Sequence, residues 1–153
     1  LFGSGGRIEV EAVVASSPAS TSADPPPGAG RKTKGVSLRI NPRGSDVSRT
    51  ANMDQDEVVE ATRALAKIVE LSADAIVKDR SEVSYRTVND IVMGYTKTSR
   101  QAYGFVSIGI GSSAIGSTSA VGFTEYLTST FDADELGTLR MLFDRATDLL
   151  ASK

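Results

Sequence analysis

Six basic side chains crowd one short stretch. Arg31, Lys32, Lys34, Arg39, Arg43 and Arg49 lie between positions 31 and 49, and Asp46 is the one acid among them. Residues 51–153 reverse the balance, with ten basic and fifteen acidic residues. A basic segment on an acidic body suits nucleic-acid phosphates, or the acidic face of an identical neighbour. The plainer reading is a solvated loop whose Lys and Arg residues keep an edge strand from aggregating.

Two glycine-bearing stretches invite a nucleotide reading. Gly109-Ile110-Gly111-Ser112-Ser113-Ala114 spells G-x-G-x-x-A directly after an alternating run. In a dinucleotide fold such glycines let backbone approach a pyrophosphate, and a following helix supplies N–H groups. Here Gly116, Ser117, Thr118, Ser119 and Gly122 follow, which are poor helix formers, and too little chain remains for a doubly wound sheet. A Gly/Ser hairpin loop accounts for the same residues. Gly28-Ala29-Gly30-Arg31-Lys32-Thr33 is similar to the end of a phosphate-binding loop but lacks the earlier glycine, and Pro25, Pro26 and Pro27 replace its strand.

Asp132, Asp134 and Glu135, like Asp54, Asp56 and Glu57, have the chemistry of catalytic carboxylates or metal ligands. They also sit where acids are favoured anyway, at the positive end of a helix. Cysteine and histidine are both absent, which excludes disulfides, Cys/His zinc sites, thiol nucleophiles and a Ser-His-Asp triad. Tryptophan is absent too, and the nine Phe and Tyr residues leave aromatic stacking platforms scarce. No catalytic, cofactor-binding or metal-binding residue is expected.

The elements that position these residues follow from periodicity. With 153 residues, 40% hydrophobic and 24% charged, the chain is expected to form one globular core. Ile8, Val10, Ala12 and Val14 share one face of a strand, and Val36, Leu38 and Ile40 share one face of another. Asn41-Pro42-Arg43-Gly44 stops the second strand. Residues 15–30 are rich in Ala, Ser, Pro and Gly and read as an extended linker. The division is therefore an N-terminal strand and arm over 1–30 and a single domain over 31–153.

Helical spacing begins near Glu57 and runs to Lys78. Asp54 caps it with Glu57 in a capping-box-like pair. Val58, Thr62, Leu65, Val69, Ser72 and Ile76, beside Ile68, make the buried face. Residues 83–96 fit a helix face or a hairpin turning at Asn89-Asp90, and their β-branched and aromatic content favours the hairpin. Ala102, Gly104, Val106, Ile108 and Ile110 alternate, with Val121, Phe123 and Leu127 on a partner strand. Asp132 and Glu135 then start a last helix that buries Leu136, Leu139, Phe143, Ala146 and Leu150. The class is α+β: an antiparallel sheet, a long amphipathic helix before a C-terminal hairpin, and a final C-terminal helix.

Two resemblances point to virion parts. Ser99-Arg100-Gln101-Ala102-Tyr103, the hairpin after it and the stretch from Phe131 to Lys153 resemble the ending of single-stranded RNA phage coat proteins, as does Asn41-Pro42-Arg43-Gly44 after a strand. That resemblance covers about a third of the chain and implies a sheet face that binds RNA, with helices that lock a dimer. Those coats are nearly all β before their final helices, whereas Glu57 to Lys78 is helical here. Val106-Ser107-Ile108-Gly109-Ile110-Gly111 and Phe123-Thr124-Glu125-Tyr126 are similar to segments of phage neck and tail-completion proteins.

The expectation is a non-enzymatic, self-assembling structural protein, a viral coat or virion component. Arg31, Lys32, Lys34, Arg39, Arg43 and Arg49 would contact RNA, DNA or a neighbouring copy. One alternative is a cellular nucleic-acid-binding or adaptor domain using the same basic segment, and another is a nucleotide-dependent enzyme using Gly109 to Ala114. No cofactor and no membrane are expected. The place is the virion, assembled in a host cytoplasm, or otherwise the cytoplasm. The first residues lack the basic and apolar regions of a signal peptide, and Leu1 in place of Met reads as a trimmed or processed start.

Overall fold

Period-two alternation builds the first sheet. The computed structural model describes residues 2–3, 6–16, 32–74, 80–110 and 125–152. Strands β1 (Phe2–Gly3), β2 (Gly6–Ser16), β3 (Lys32–Pro42) and β4 (Arg49–Asp54) pair antiparallel in the order β1-β2-β3-β4. The register sets Ile8 opposite Ile40, Val10 opposite Leu38 and Ala12 opposite Val36, while Met53 faces Val36 from β4. These apolar side chains make the inner face. Gly44, at φ +72°, takes the left-handed turn conformation that follows Pro42.

β2 pairs with β3 along its whole length, from Gly6 with Pro42 to Ser16 with Lys32. Residues 17–31, most of the expected arm, lie outside the described residues.

Helix α1 spans Gln55–Ala73. Asp54 caps it by accepting from the Glu57 N–H at 2.8 Å. Glu57 does not close a reciprocal box, because its carboxylate accepts from the backbone N–H and side-chain amide of Asn89. The buried stripe is Val58, Ala61, Leu65 and Ile68. Thr62 and Ser72, expected inside, are half-buried at its margin, their hydroxyls bonded to the carbonyls of Val58 and Val69. The helix ends at Ala73, short of the expected Lys78, where Asp74 turns to extended backbone and donates to Leu71 O. Ile76 and Lys78 lie outside the described residues.

The second half repeats the plan. β5 (Ser81–Arg86), β6 (Ile91–Lys97), β7 (Ala102–Gly109) and β8 (Tyr126–Asp132) pair antiparallel in chain order. Residues 83–96 thus form the hairpin, turning at Thr87–Asp90. Asp90 holds φ +57°, a conformation Asp tolerates better than branched residues. The partner of β7 begins at Tyr126; Leu127 is on its inner face, and Val121 and Phe123 lie outside the described residues. A single 3-10 turn, Ala133–Glu135, leads into α2 (Leu136–Ala151), which buries Leu136, Leu139, Phe143, Ala146 and Leu150 as its spacing predicted. The class is α+β, with two antiparallel sheets in place of one.

Each half is a four-stranded meander followed by a helix. The junctions match residue for residue: Met53-Asp54-Gln55-Asp56-Glu57 ends β4 and opens α1, and Phe131-Asp132-Ala133-Asp134-Glu135 ends β8 and opens α2. In both, a buried apolar residue closes the strand, an Asp occupies the cap position and acids occupy the first turn.

One apolar cluster draws on both sheets and both helices. α1 and α2 pack on each other, α1 reaches β3 to β6, α2 reaches β2 and β3, and β8 meets β1, β2 and β3. Lys34, at the end of the inner face, donates to the carbonyl of Leu150 at 2.8 Å and ties the first sheet to the last turn of α2. A cation there also answers the negative end of the helix dipole. No helix among the described residues is long and apolar enough to cross a membrane.

Candidate functional site

The basic residues singled out from the sequence do not converge. Arg31 lies outside the described residues, and Lys32 opens β3 opposite Ser16. Because a strand alternates faces, Lys34 goes to the inner side and Arg39 to the outer. Lys34 is half-buried and occupied by Leu150. Arg39 is exposed, stands opposite Glu9 and Thr50, and donates to Ser48 Oγ at 3.0 Å. Arg43 projects from the turn after β3, and Arg49 is exposed at the start of β4. The outer face of the first sheet sets Arg7 and Arg39 among Glu9 and Glu11, with Arg7 ion-paired to Glu9. Its charge is close to balanced, which gives an anion little preference.

The outer face of the second sheet is different. Register places Arg86, Val92, Gly94, Thr96, Tyr103, Phe105, Ser107, Tyr126, Thr128 and Thr130 on it. Tyr103 and Phe105 stand two residues apart on β7, about 7 Å along the strand. Both rings are half-buried. Gly94 faces Phe105 across the ladder, and a side chain there would strike the Phe105 ring, so the glycine makes room for it.

Arg86 and Tyr126 come from the two outermost strands and meet across the sheet. The Arg86 guanidinium lies 5.5 Å from the Tyr126 ring centroid, within cation–π range. Asp90 anchors both, accepting from Tyr126 OH at 3.4 Å and lying 3.8 Å from Arg86 Nη1. Between this bridge and Phe105, the hydroxyls of Ser107 and Thr128 share a hydrogen bond of 2.8 Å. Thr128 and Thr130 remain exposed. The strip therefore offers rings at both ends, hydroxyls between them and a fixed guanidinium. Such a surface stacks planar groups and hydrogen-bonds polar edges.

Sequence reasoning missed this face. Three of the nine aromatics gather on it, although the count alone argued against a stacking platform. The signal that could have found it is the pair Tyr103 and Phe105, out of phase with the apolar run Gly104, Val106 and Ile108 on the same strand. Tyr85 lies instead toward α1. Burial, then the Glu60 and Glu57 carboxylates, hold its phenol above its ordinary value.

The other candidates fare as follows. Of the G-x-G-x-x-A run only Gly109 and Ile110 are described: Gly109 ends β7, and Ile110 donates to Glu125 O at 2.7 Å. Residues 28–30, with the rest of the second glycine stretch up to Arg31, also lie outside the described residues. Asp54 caps α1, and Glu135 accepts from the Asp132 N–H at 3.2 Å. Among the described residues no three acids come together as metal ligands would.

No protein-family model matches the chain, and no curated protein matches it. Among solved structures, that of the plant transcriptional regulator PBF-2 is similar over 99% of this chain and 84% of its own, at 12% identity and a TM-score of 0.38.

Proposed function

We propose that this is a non-enzymatic protein that binds single-stranded nucleic acid on the outer face of its second sheet. One observation carries the reading: Tyr103 and Phe105 stand two residues apart on the outer face of β7, in line with the Tyr126–Arg86 bridge. Bases stack on such rings without regard to sequence, and single strands expose the faces that duplexes hide. The hydroxyls of Ser107, Thr128 and Thr130 meet base edges or sugars, and Arg86 meets phosphate. The basic segment, spread over several directions, adds non-specific attraction rather than a site.

Fluorescence anisotropy with labelled single-stranded and duplex oligonucleotides tests this. Single strands should bind more tightly, and Tyr103→Ala and Phe105→Ala should each cost about 1–3 kcal/mol of binding. Equal affinity of both variants and the wild type would remove the site.

A second reading, the self-assembling virion subunit, is favoured by the strand edge of β2. Beyond Arg7, among the described residues, β2 has a strand on one side only. Such an edge suits a subunit that joins copies of itself. Light scattering with the 260/280 nm absorbance ratio separates the two readings. A shell-sized species carrying nucleic acid supports the second, and a small species that takes up oligonucleotide supports the first.

A further inference from the structure

The edge of β2 and the outer flank of α2 form one groove, lined by Val10, Glu11, Ala12, Leu142, Arg145 and Leu149. Leu149 is 44% exposed, and Val13 beside the groove is 39% exposed, high values for apolar side chains next to a strand edge. The edge lacks the usual guards. From Ile8 to Val14 it has no proline and no lysine, and its register with β3 runs without a bulge. Glu11 and Arg145 line the same groove with opposite charge and, among the described residues, form no ion pair there.

We infer that this groove receives a second copy of the chain about a two-fold axis, with Glu11 of each copy against the partner's Arg145. Both signs of charge on one apolar surface are what an isologous contact needs, because such a surface must complement itself. The two-fold forms the Glu11–Arg145 pair twice and covers Leu142 and Leu149, while the β2 edges run antiparallel. A partner of another kind would have to match both charges on its own surface, whereas a second copy supplies that match automatically. The inference is independent of the nucleic-acid face, which lies on the other sheet.

Sedimentation of the full chain without nucleic acid, across the micromolar range, tests it. The wild type should show a monomer–dimer equilibrium. Glu11→Arg and Arg145→Glu should each weaken the dimer by about tenfold or more, since each sets like charges together twice. An equimolar mixture of the two variants should restore it, because in the mixed dimer both pairs again join opposite charges. Leu149→Lys, at an exposed position, should also weaken the dimer with the circular dichroism unchanged. A wild type that stays monomeric, single reversals that dimerise like the wild type, or a mixture that fails to recover would each overturn the inference.

Discussion

The ring of Phe105 fills the space that a side chain on Gly94 would need: a Cβ built there would lie 2.5 Å from Phe105 Cζ and 2.7 Å from the carbonyl oxygen of Val83. One neighbour can swing away and the other, being backbone, cannot. Gly94→Ala should therefore destabilise the fold by about 1–3 kcal/mol in urea unfolding. Adding Phe105→Ala should relieve only part of that loss, because the Val83 oxygen stays in place. Full recovery in the double variant would show that the ring alone demands the glycine.

Arg86 is the fixed cation of the candidate face. Arg86→Gln should lower the slope of log affinity against log salt for single strands by about 0.7, the share of one phosphate contact. It should also loosen Tyr126 by removing its cation–π partner. An unchanged slope would place the phosphate contacts elsewhere.

Lys34 should behave in the opposite way. Its ammonium is committed to Leu150 O, so Lys34→Met should cost about 1–2 kcal/mol of stability. Oligonucleotide affinity, measured where both proteins are folded, should hardly change. Arg39→Gln, on an exposed outer face, should leave stability within about 0.5 kcal/mol.

Tyr85 sets a limit at alkaline pH. Its phenol ionises above the ordinary value of 10.0, so the folded state holds the proton more tightly than the unfolded chain. The resulting stability is full below pH 10 and is lost as pH rises through the folded value. Titration of phenolate absorbance should show a late step that Tyr85→Phe removes, and the variant's stability should fall less above pH 10. A late step that survives in the variant would assign it to another tyrosine.

The local plan was legible because it depends on local rules. Alternation of Ile8, Val10 and Ala12 marks a strand by itself, and Leu136, Leu139, Phe143, Ala146 and Leu150 mark a helix face without knowledge of their neighbours. Asp54 and Asp132 announced both helix starts through the unpaired N–H groups of a first turn. The shared D-x-D-E junction was also in plain view, and it is the one trace in sequence of the repeated meander-and-helix plan.

Tertiary structure decided which surface those elements share. Whether Lys34 and Arg39 act together depends on the face each takes on β3 and on what packs there, and α2 claims Lys34 from 116 residues away. Glu57 was spoken for by Asn89, 32 residues on, so the expected capping box gave way to a tie between the helix and the second hairpin. Tyr126 and Arg86 meet only because the sheet brings its two outermost strands within reach across β6 and β7. Periodicity sets which side of its own strand or helix a residue occupies, since that is a property of backbone geometry. What stands opposite comes from long-range pairing, which no window of neighbouring residues contains.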